Sequence, residues 1–342
     1  MPHNVWDDIL QQPCEFTGDG GLRFAGAHQD PASRIARPFA CPLPDLGFLA
    51  IAGPDAARFL QGQLSCDIGE VSPRHWTPGC HCTPKGRVIA SFQLARSGDE
   101  AFLLGLPAGM IDIVQRSLSR YVVFSKADLV DASRDWLAVG LGGPAAADVI
   151  RQFFDGVPGA PHEQVSMPAG LCLRVADAQP RFAVWLRTEH ATAFWQAADQ
   201  ALGAADTEVW DLLNIRAGLA SVRPETTEMF IPQMLNYDVI GAVSFKKGCY
   251  TGQEVVARAH YRGAVKRHLR HFTGPGEACP PPGAVVYAQG QAVGHVVASS
   301  RATGASVEGL LVAQDGSGDL LSLTPGGDHP TLTSFAVARG RE

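Results

Sequence analysis

The sequence lacks the features that mark several large classes of protein. No apolar run approaches the roughly 18 residues that a membrane helix needs, and the first residues have neither the basic region nor the apolar stretch of a signal or transit peptide. Charged residues are 18% of the 342 and the net charge is −6, so no global basicity points to nucleic acid. We therefore expect a globular cytoplasmic protein that contacts no membrane and does not act directly on DNA.

The chain is also poor in patterns that hold metals or activate a hydrolytic serine. Its eight cysteines form no C-x-x-C pair, which favours reduced thiols over a disulfide framework. It contains no H-E-x-x-H pair and no G-x-S-x-G elbow. The Cys80-His81-Cys82 stretch departs from the spacing of a standard zinc site, so metal binding there is a minor alternative and no metal is predicted.

The residues best suited to chemistry are concentrated in residues 245–260, which read FKKGCYTGQEVVARAH. Thr251 and Glu254 have the spacing of a capping box, in which each side chain accepts a hydrogen bond from the backbone N–H of the other residue. This spacing predicts a short helix that begins at about residue 252 and ends before Gly263.

Cys249 is the candidate functional thiol of this stretch. It precedes the predicted helix, and Lys246 and Lys247 come just before it. Helix N–H groups and nearby ammonium groups both lower the pKa of a thiol, so an activated thiolate is one interpretation. Gly248 is predicted to make a tight turn, because glycine tolerates positive φ. The alternative is a lysine-decorated turn that carries no chemistry.

The rest of the pattern predicts two α+β modules and a terminal β domain. A strand at 48–52, a Gly-Pro step that opens a helix, two strands and a helix ending at 121 recur about 90 residues later, between 136 and 202. Residues 77–85 are predicted to be a turn-rich loop. From 264 onward, short β runs alternate with Gly, Pro and Asp turns, which indicates a small barrel or sandwich.

The segment from Lys246 to Glu254, followed by Val-Ala-Arg258 and Arg262-Gly263, resembles the signature of the YgfZ family. These are folate-binding proteins related to GcvT, the aminomethyltransferase of the glycine cleavage system. Further matches are FLQGQLSCD at 59–67, YVVFSK at 121–126, NIRAG at 214–218 and FIPQM at 230–234. The resemblance runs from about residue 46 to residue 266.

The resemblance implies an α+β fold of GcvT type, which is a three-domain cloverleaf. Its first two domains are expected to be ferredoxin-like α+β modules, and the third a β-barrel. The expected boundaries are a folate-binding region of residues 1–130 with 206–262, a second α+β module of residues 131–205, and a C-terminal β-barrel of residues 263–342.

The family's role implies a tetrahydrofolate-binding accessory protein that supports the assembly or repair of iron–sulfur clusters, and so the tRNA-modifying radical enzymes that carry them. Its expected partners are folate and iron–sulfur proteins or their assembly factors, and a monomer is expected. Two alternatives stay open. One is a folate-dependent one-carbon transferase, and the other is a non-catalytic interaction module.

The resemblance also implies site residues. Cys249 matches the signature cysteine, in a loop formed by Lys246, Lys247, Gly248, Tyr250, Thr251, Gly252, Gln253 and Glu254. Trp210 matches a folate-contacting tryptophan, whose indole face can stack on a flat pterin ring. Further folate contacts are expected at Phe48, Arg216, Gln233 and Tyr237, and candidate anion contacts at Lys85, Arg87 and Arg258.

Two departures from the aminomethyltransferase bear on activity. That enzyme carries adjacent Asp residues in the segment that matches residues 85–92, and this segment, KGRVIASF, has no carboxylate. Nothing obvious there would activate a folate nitrogen for one-carbon transfer. The enzyme's pterin-recognising Glu is Arg216 here, so either the pterin binds differently, or Arg216 serves a folate glutamate tail or a structural ion pair. Whether the chain is an enzyme stays open, and glycine-cleavage activity is not expected.

Overall fold

The structure, a computed structural model, describes residues 5–18, 20–26, 30–176, 179–263, 265–276, 278–326 and 331–337. In these ranges the α-helices are α1 (Val5–Ile9), α2 (Pro31–Arg34), α3 (Ala56–Gln63), α4 (Ile111–Val122), α5 (Ala146–Phe153), α6 (Thr188–Leu202), α7 (Thr207–Arg216) and α8 (Gln253–Tyr261). No helix within these ranges combines the length and the apolarity needed to cross a bilayer.

The strands of the first half of the chain are β1 (Cys14–Phe16), β2 (Leu22–Phe24), β3 (Phe39–Pro42), β4 (Leu46–Ala52), β5 (Thr77–Cys82), β6 (Val88–Gly98), β7 (Ala101–Pro107), β8 (Asp128–Asp131) and β9 (Trp136–Gly142). Those of the second half are β10 (Gln164–Met167), β11 (Gly170–Arg174), β12 (Arg181–Arg187), β13 (Arg267–Pro275), β14 (Val285–Ala288), β15 (Gln291–Arg301), β16 (Ser306–Gln314), β17 (Leu320–Ser322) and β18 (Thr331–Ala336).

Two five-stranded sheets share one topology. In the order β5-β6-β7-β4-β8, a meander of three strands is followed by the strand that precedes it in sequence and then by an outer strand. The order β10-β11-β12-β9-β3 repeats this arrangement. The pairs β4–β7 and β9–β12 are both antiparallel over seven residues. The prediction of two successive α+β modules of related topology is therefore confirmed.

The chain divides into two compact units. The first unit comprises residues 1–56, 69–77 and 93–210, and the second comprises residues 57–68, 78–92 and 211–342. The core of the first unit lies on the sheet of β9 and β12, where Val149 of α5 and Phe194 of α6 pack with Val139 and Val184. Burying such side chains stabilises by about 1.5–3 kcal/mol each.

The second unit contains a closed barrel in the order β13-β16-β15-β14-β17-β18. Its interior is filled by Phe272, Val286, Val296, Leu311 and Leu332, all of which are buried. Closing a sheet on itself pairs the edge strands that would otherwise be open to solvent. The predicted terminal β domain is confirmed as a barrel, and the sandwich alternative is wrong.

Residues 77–85 differ from the predicted loop. β5 runs as a strand through Thr77–Cys82, and the turn is confined to the next residues, where the Gly86 N–H donates to Thr83 O at 2.8 Å. Pro and Gly favour a turn locally, but β5 is an outer strand of its sheet, where Pro is tolerated. Burial of the strand from residue 79 onward outweighs the local propensity.

The helices α3 and α5 begin slightly later than the Gly-Pro steps predicted. The first residue of α3 is Ala56, whose N–H donates to Gly53 O at 2.9 Å, and the first residue of α5 is Ala146, whose N–H donates to Gly143 O at 3.1 Å. Each Gly-Pro step therefore forms a turn that leads into the helix, and does not supply its first residue.

Candidate functional site

The helix predicted for the signature segment is present in the second unit as α8, and its N-cap is Gly252. Gly252 has a φ of 87°, and a β-carbon on it would lie 2.5 Å from the Thr83 carbonyl oxygen. Gly248, which was predicted to make a tight turn, lies in no turn and has no positive φ, and a β-carbon there would meet nothing within 4 Å. The left-handed turn therefore lies at Gly252, and the prediction for Gly248 is wrong.

The predicted capping box is also wrong. No side chain caps the first turn of α8. Thr251 Oγ1 donates instead to Gln63 Oε1 at 3.2 Å, and the Thr251 N–H donates to Gly62 O at 3.3 Å. The Glu254 carboxylate accepts from Arg258 at 3.3 Å, one turn along the helix. Thr251 therefore fastens the loop to the end of α3, a role that the local spacing does not reveal.

Replacing Gly252 with alanine should destabilise the second unit by roughly 1–3 kcal/mol, because a residue with a β-carbon is strained at this φ and would press on a backbone oxygen. The measurement is the free energy of unfolding in urea. Gly248→Ala is the matched control, four residues earlier in the same loop, and should change stability by less than about 0.5 kcal/mol. Equal effects of the two substitutions would contradict the assignment of the turn to residue 252.

Lys247 is the buried anchor of the loop. Its Nζ donates to Leu64 O at 2.6 Å and to Gln61 O and Cys66 O at 2.8 Å, so all three ammonium protons are used. Carbonyls at a helix C-terminus lack helical partners and carry partial negative charge, which suits a cation. Burial lowers the pKa of Lys247 to about 8, although the neighbouring Cys66 and Asp67 favour the charged form.

Cys249 is exposed, and so are Gly248 and Lys246 beside it. On one side the loop is held by Lys247, and on the other by Thr251. The Lys247 ammonium is committed to backbone carbonyls, so an effect of both lysines on the thiol stays a prediction. The arrangement presents a single accessible thiol on a loop that is fixed at both ends.

Tyr250 fills the space beneath the loop. Its ring is buried, with the Lys247 ammonium 5.2 Å from the ring centroid. Burial raises the pKa of Tyr250, and the thiols of Cys80, Cys82 and Cys66 raise it further. Its hydroxyl is buried and has no hydrogen-bond partner among the described residues. Such an atom is suited to a water molecule or to a polar atom of a ligand.

Cys80 and Cys82 lie on one face of β5, with their sulfur atoms 3.8 Å apart. The hydrogen bond between Cys82 and Cys80, together with burial, raises the pKa of Cys82, and neutral buried thiols are inert. Burial lowers the pKa of His81, whose Nδ1 lies 3.1 Å from Gln63 O. In the described ranges, no group of three or more His, Cys, Asp or Glu residues could hold a metal ion. The minor alternative of a metal in this stretch therefore gains no support.

Comparison with known proteins places this chain in a family. The model for the GCVT N-terminal domain matches residues 43–165. The chain is 32% identical over 266 residues to the tRNA-modifying protein YgfZ of Pectobacterium atrosepticum, covering 75% of this chain and 79% of that protein. It is 33% identical over 244 residues to the protein of that name in Cronobacter sakazakii, covering 70% and 73%. The chain belongs to the YgfZ family.

The fold is shown by a solved structure. The glycine cleavage system aminomethyltransferase T from Bartonella henselae superposes with a TM-score of 0.71 over 90% of this chain and 88% of that one, at 16% identity. The predicted GcvT-like α+β fold with a C-terminal barrel is thus confirmed. At this identity the likeness extends to the fold alone.

Two aromatic residues that were predicted to contact folate in this YgfZ-family chain lie in the first unit. Trp210 is 7% exposed, and the Arg181 guanidinium lies 4.5 Å from its ring centroid. Phe48 is fully buried, with its ring centroid 5.2 Å from that of Trp185 in an edge-on contact. Both rings are therefore packed within this unit, and their contact with folate stays a prediction.

Three others lie in the second unit. Tyr237 is buried and donates from its hydroxyl to Ala220 O at 2.9 Å, and burial raises its pKa. Gln233 is buried and donates from Nε2 to Val256 O at 2.7 Å, while its Oε1 has no partner among the described residues.

Arg216 forms a two-pronged ion pair with Glu308 of the barrel, at 2.7 and 2.9 Å. This hydrogen bonding raises the pKa of Arg216. Of the two roles left open for Arg216, the structural ion pair is therefore present.

The candidate anion contacts of the second unit are all exposed, but they differ in the hydrogen bonds that their side chains already make. Lys85 is exposed on the turn after β5, and Arg258 is exposed on α8. Arg87 is also exposed, but its Nη1 donates to Met229 O at 2.8 Å. Ser91, in the segment where the aminomethyltransferase carries its carboxylates, is buried and accepts from the Val222 N–H at 2.9 Å. That hydroxyl is therefore occupied by a structural hydrogen bond.

Sequence reasoning missed two features of this YgfZ-family site. The first is the set of carbonyls that receive Lys247, because backbone oxygens leave no trace in a sequence. The second is an aromatic cluster beside the loop, in which the Phe245 ring stacks on His260 at 3.8 Å and meets Tyr261 edge-on at 6.0 Å. The sequence did carry a signal for the aromatic cluster: His260 and Tyr261 are adjacent and are followed by Arg262 at the end of the helix.

Proposed function

We propose that this YgfZ-family chain is a tetrahydrofolate-binding accessory protein that supports assembly or repair of iron–sulfur clusters, and thereby tRNA modification. The single observation that carries the proposal is the exposed thiol of Cys249 on a loop held by Lys247 and Thr251. Its relatives are named tRNA-modifying proteins, and the GCVT N-terminal domain match supports a link to folate.

The residues of the second unit fit tetrahydrofolate in their hydrogen-bonding chemistry. Gln233 Oε1 is a buried acceptor without a partner in the described ranges, and the amino and ring N–H groups of a pterin are donors that could satisfy it. Lys85 and Arg258 are exposed cations that suit the carboxylates of a folate tail. Tetrahydrofolate, when bound, supplies nitrogens that accept or donate one-carbon groups.

In this proposal, the thiol of Cys249 is the reactive group that the chain itself contributes. A thiolate is both a nucleophile and a ligand for soft metals, and in this proposal the iron–sulfur cluster is cargo of the protein and not its resident cofactor. A fixed loop holds the sulfur in one place without an ordering cost at each encounter. Cys249 is therefore proposed as the residue that meets the cluster protein or a one-carbon group, while the remaining loop residues position it.

The alternative of a one-carbon transferase lacks its acid–base group. The segment 85–92 has no carboxylate, and Ser91 is held by the Val222 N–H. The alternative of a non-catalytic interaction module remains if folate does not bind.

We also propose the division into a folate-binding region of residues 1–130 with 206–262, a module of residues 131–205 and a barrel of residues 263–342, in a cytoplasmic monomer.

The test is calorimetric titration of the full chain with tetrahydrofolate. Saturable one-site binding is expected, and Gln233→Leu should weaken it about tenfold because the pterin donor would then face an apolar group. Gln291→Leu, an exposed glutamine at the start of β15, is the control and should bind like the wild type. Absence of binding would leave only the interaction module. Formation of methylene-tetrahydrofolate from an aminomethyl donor at enzyme-like rates would favour the transferase.

A further inference from the structure

The surface around α8 is basic in a chain that is acidic overall. Residues 245–267 contain six Lys and Arg residues and one carboxylate, whereas the whole chain has a net charge of −6. Of the six, Lys247 is buried and occupied, and the other five are exposed: Lys246, Arg258, Arg262, Lys266 and Arg267. We call these five exposed residues, together with His260 and Tyr261, the α8 surface.

Three aromatic rings belong to the same stretch of sequence as these cations. Phe245 and His260 are stacked, with an interplanar angle of 16° and ring centroids 3.8 Å apart. Tyr261 stands edge-on to His260 at 4.8 Å and is 68% exposed. A large ring left this open to water loses the burial that would normally stabilise it, while its free face can receive another flat ring.

Helix α8 places charged side chains on the same face as the Tyr261 ring. Residues 254, 258 and 261 recur at the spacing that places side chains on one face of a helix, and Arg262 follows as the C-cap residue. The one carboxylate on this face, Glu254, pairs with Arg258. Asp315 lies in the turn that follows β16, the barrel strand paired with β13, and its carboxylate is 2.7 Å from His268 Nδ1. Both of these carboxylates are therefore already paired, and the five exposed cations outnumber them.

We propose that the α8 surface binds a single-stranded segment of RNA. Unpaired bases can stack on Tyr261 and His260, and phosphates can meet Lys246, Arg262 and Lys266. An acidic protein would satisfy the cations but would leave the exposed rings without a partner, so the combination favours a nucleic acid. Contact with RNA goes beyond the proposed support of cluster enzymes, which needs none, and the choice of RNA over DNA rests on that proposed function.

The experiment is fluorescence anisotropy of a labelled, unmodified tRNA transcript titrated with the full chain over a series of salt concentrations. We expect binding that weakens with salt. Tyr261→Ala should weaken it about tenfold, through loss of one stacked base. The double variant R262Q/K266Q should reduce the slope of log K against log salt by about 1.4, or about 0.7 for each lost phosphate contact.

Matched controls come from the first unit. Phe124→Ala removes an aromatic ring that is 86% exposed, and Arg151→Gln removes an exposed arginine. Both should bind the transcript like the wild type. The proposal is overturned if the wild type does not bind, if the controls weaken binding as much as the α8 variants do, or if a DNA oligonucleotide of matching loop sequence binds equally well.

Measuring tetrahydrofolate binding and transcript binding on the same proteins tests the RNA proposal separately from the proposed function. Tyr261→Ala should retain the calorimetric response to tetrahydrofolate, since an exposed ring contributes little to the fold. A wild type that binds tetrahydrofolate but not the transcript would remove the RNA proposal alone. A wild type that binds the transcript but not tetrahydrofolate would leave the RNA proposal standing and remove the folate proposal.

Discussion

Replacing Lys247 with methionine should lower the free energy of unfolding of the second unit by roughly 2–4 kcal/mol. Methionine keeps the apolar stem but leaves the carbonyls of Gln61, Leu64 and Cys66 without their donor, and each buried unpaired polar group costs about 1–3 kcal/mol. The full sum is not expected, because the cost of burying the ammonium disappears with it. The measurement is urea unfolding, together with hydrogen exchange of the amides of residues 57–68.

The matched control is Lys246→Met, the neighbouring lysine with an exposed side chain. It should change stability by less than about 0.5 kcal/mol and leave hydrogen exchange of residues 57–68 unaltered. If both variants were equally destabilised, or neither were, the assignment of Lys247 as the anchor would be wrong.

The stability effect of Lys247 should also depend on pH. The folded pKa is about 8 and the ordinary value is 10.5, so between these values the unfolded chain binds more protons at this residue than the folded chain does. Stability contributed by this group therefore rises with pH across that window. The difference in free energy of unfolding between the wild type and Lys247→Met should widen from about pH 7.5 to about pH 10. A constant difference would contradict the lowered pKa.

Replacing Cys249 with alanine should reduce support of cluster-bearing enzymes at least about tenfold while leaving the fold intact. The thiol is exposed, so its removal should cost less than about 0.5 kcal/mol of stability. Activity should fall because alanine can neither attack an electrophile nor bind a soft metal. The measurement is the methylthiolated fraction of tRNA in a strain that lacks the wild-type chain and expresses the variant.

Two comparisons make the Cys249 result specific. Cys14→Ala removes a half-buried thiol from the first unit and should support tRNA methylthiolation like the wild type. Cys249→Ser keeps the size and the hydrogen-bonding capacity of the side chain, so a loss with serine would assign the effect to sulfur chemistry. Full activity of Cys249→Ala would refute a role for the thiol.

Much of the fold follows from local pattern. β9 and β12, the helix at the signature segment and the barrel strands other than β17 are marked by hydrophobic runs or alternation and by the turns that bound them. These signals are local, because they depend on side-chain period and on residues that break it. β5 was missed because Pro78 and Gly79 argue for a turn, while its burial depends on neighbours that are distant in sequence.

The sequence by itself determined the type of fold and the signature loop with its candidate functional cysteine, and the structure showed that this cysteine is exposed. Only the tertiary structure decided which of two adjacent lysines is buried. Lys246 and Lys247 are chemically identical, and the choice rests on carbonyls more than 180 residues away along the chain. In the same way, the Thr251 hydroxyl donates to Gln63 Oε1 and does not cap the helix, as its spacing from Glu254 had predicted that it would. Hydrogen-bond partners brought together by folding outweigh local spacing, because burial makes an unpaired polar group costly.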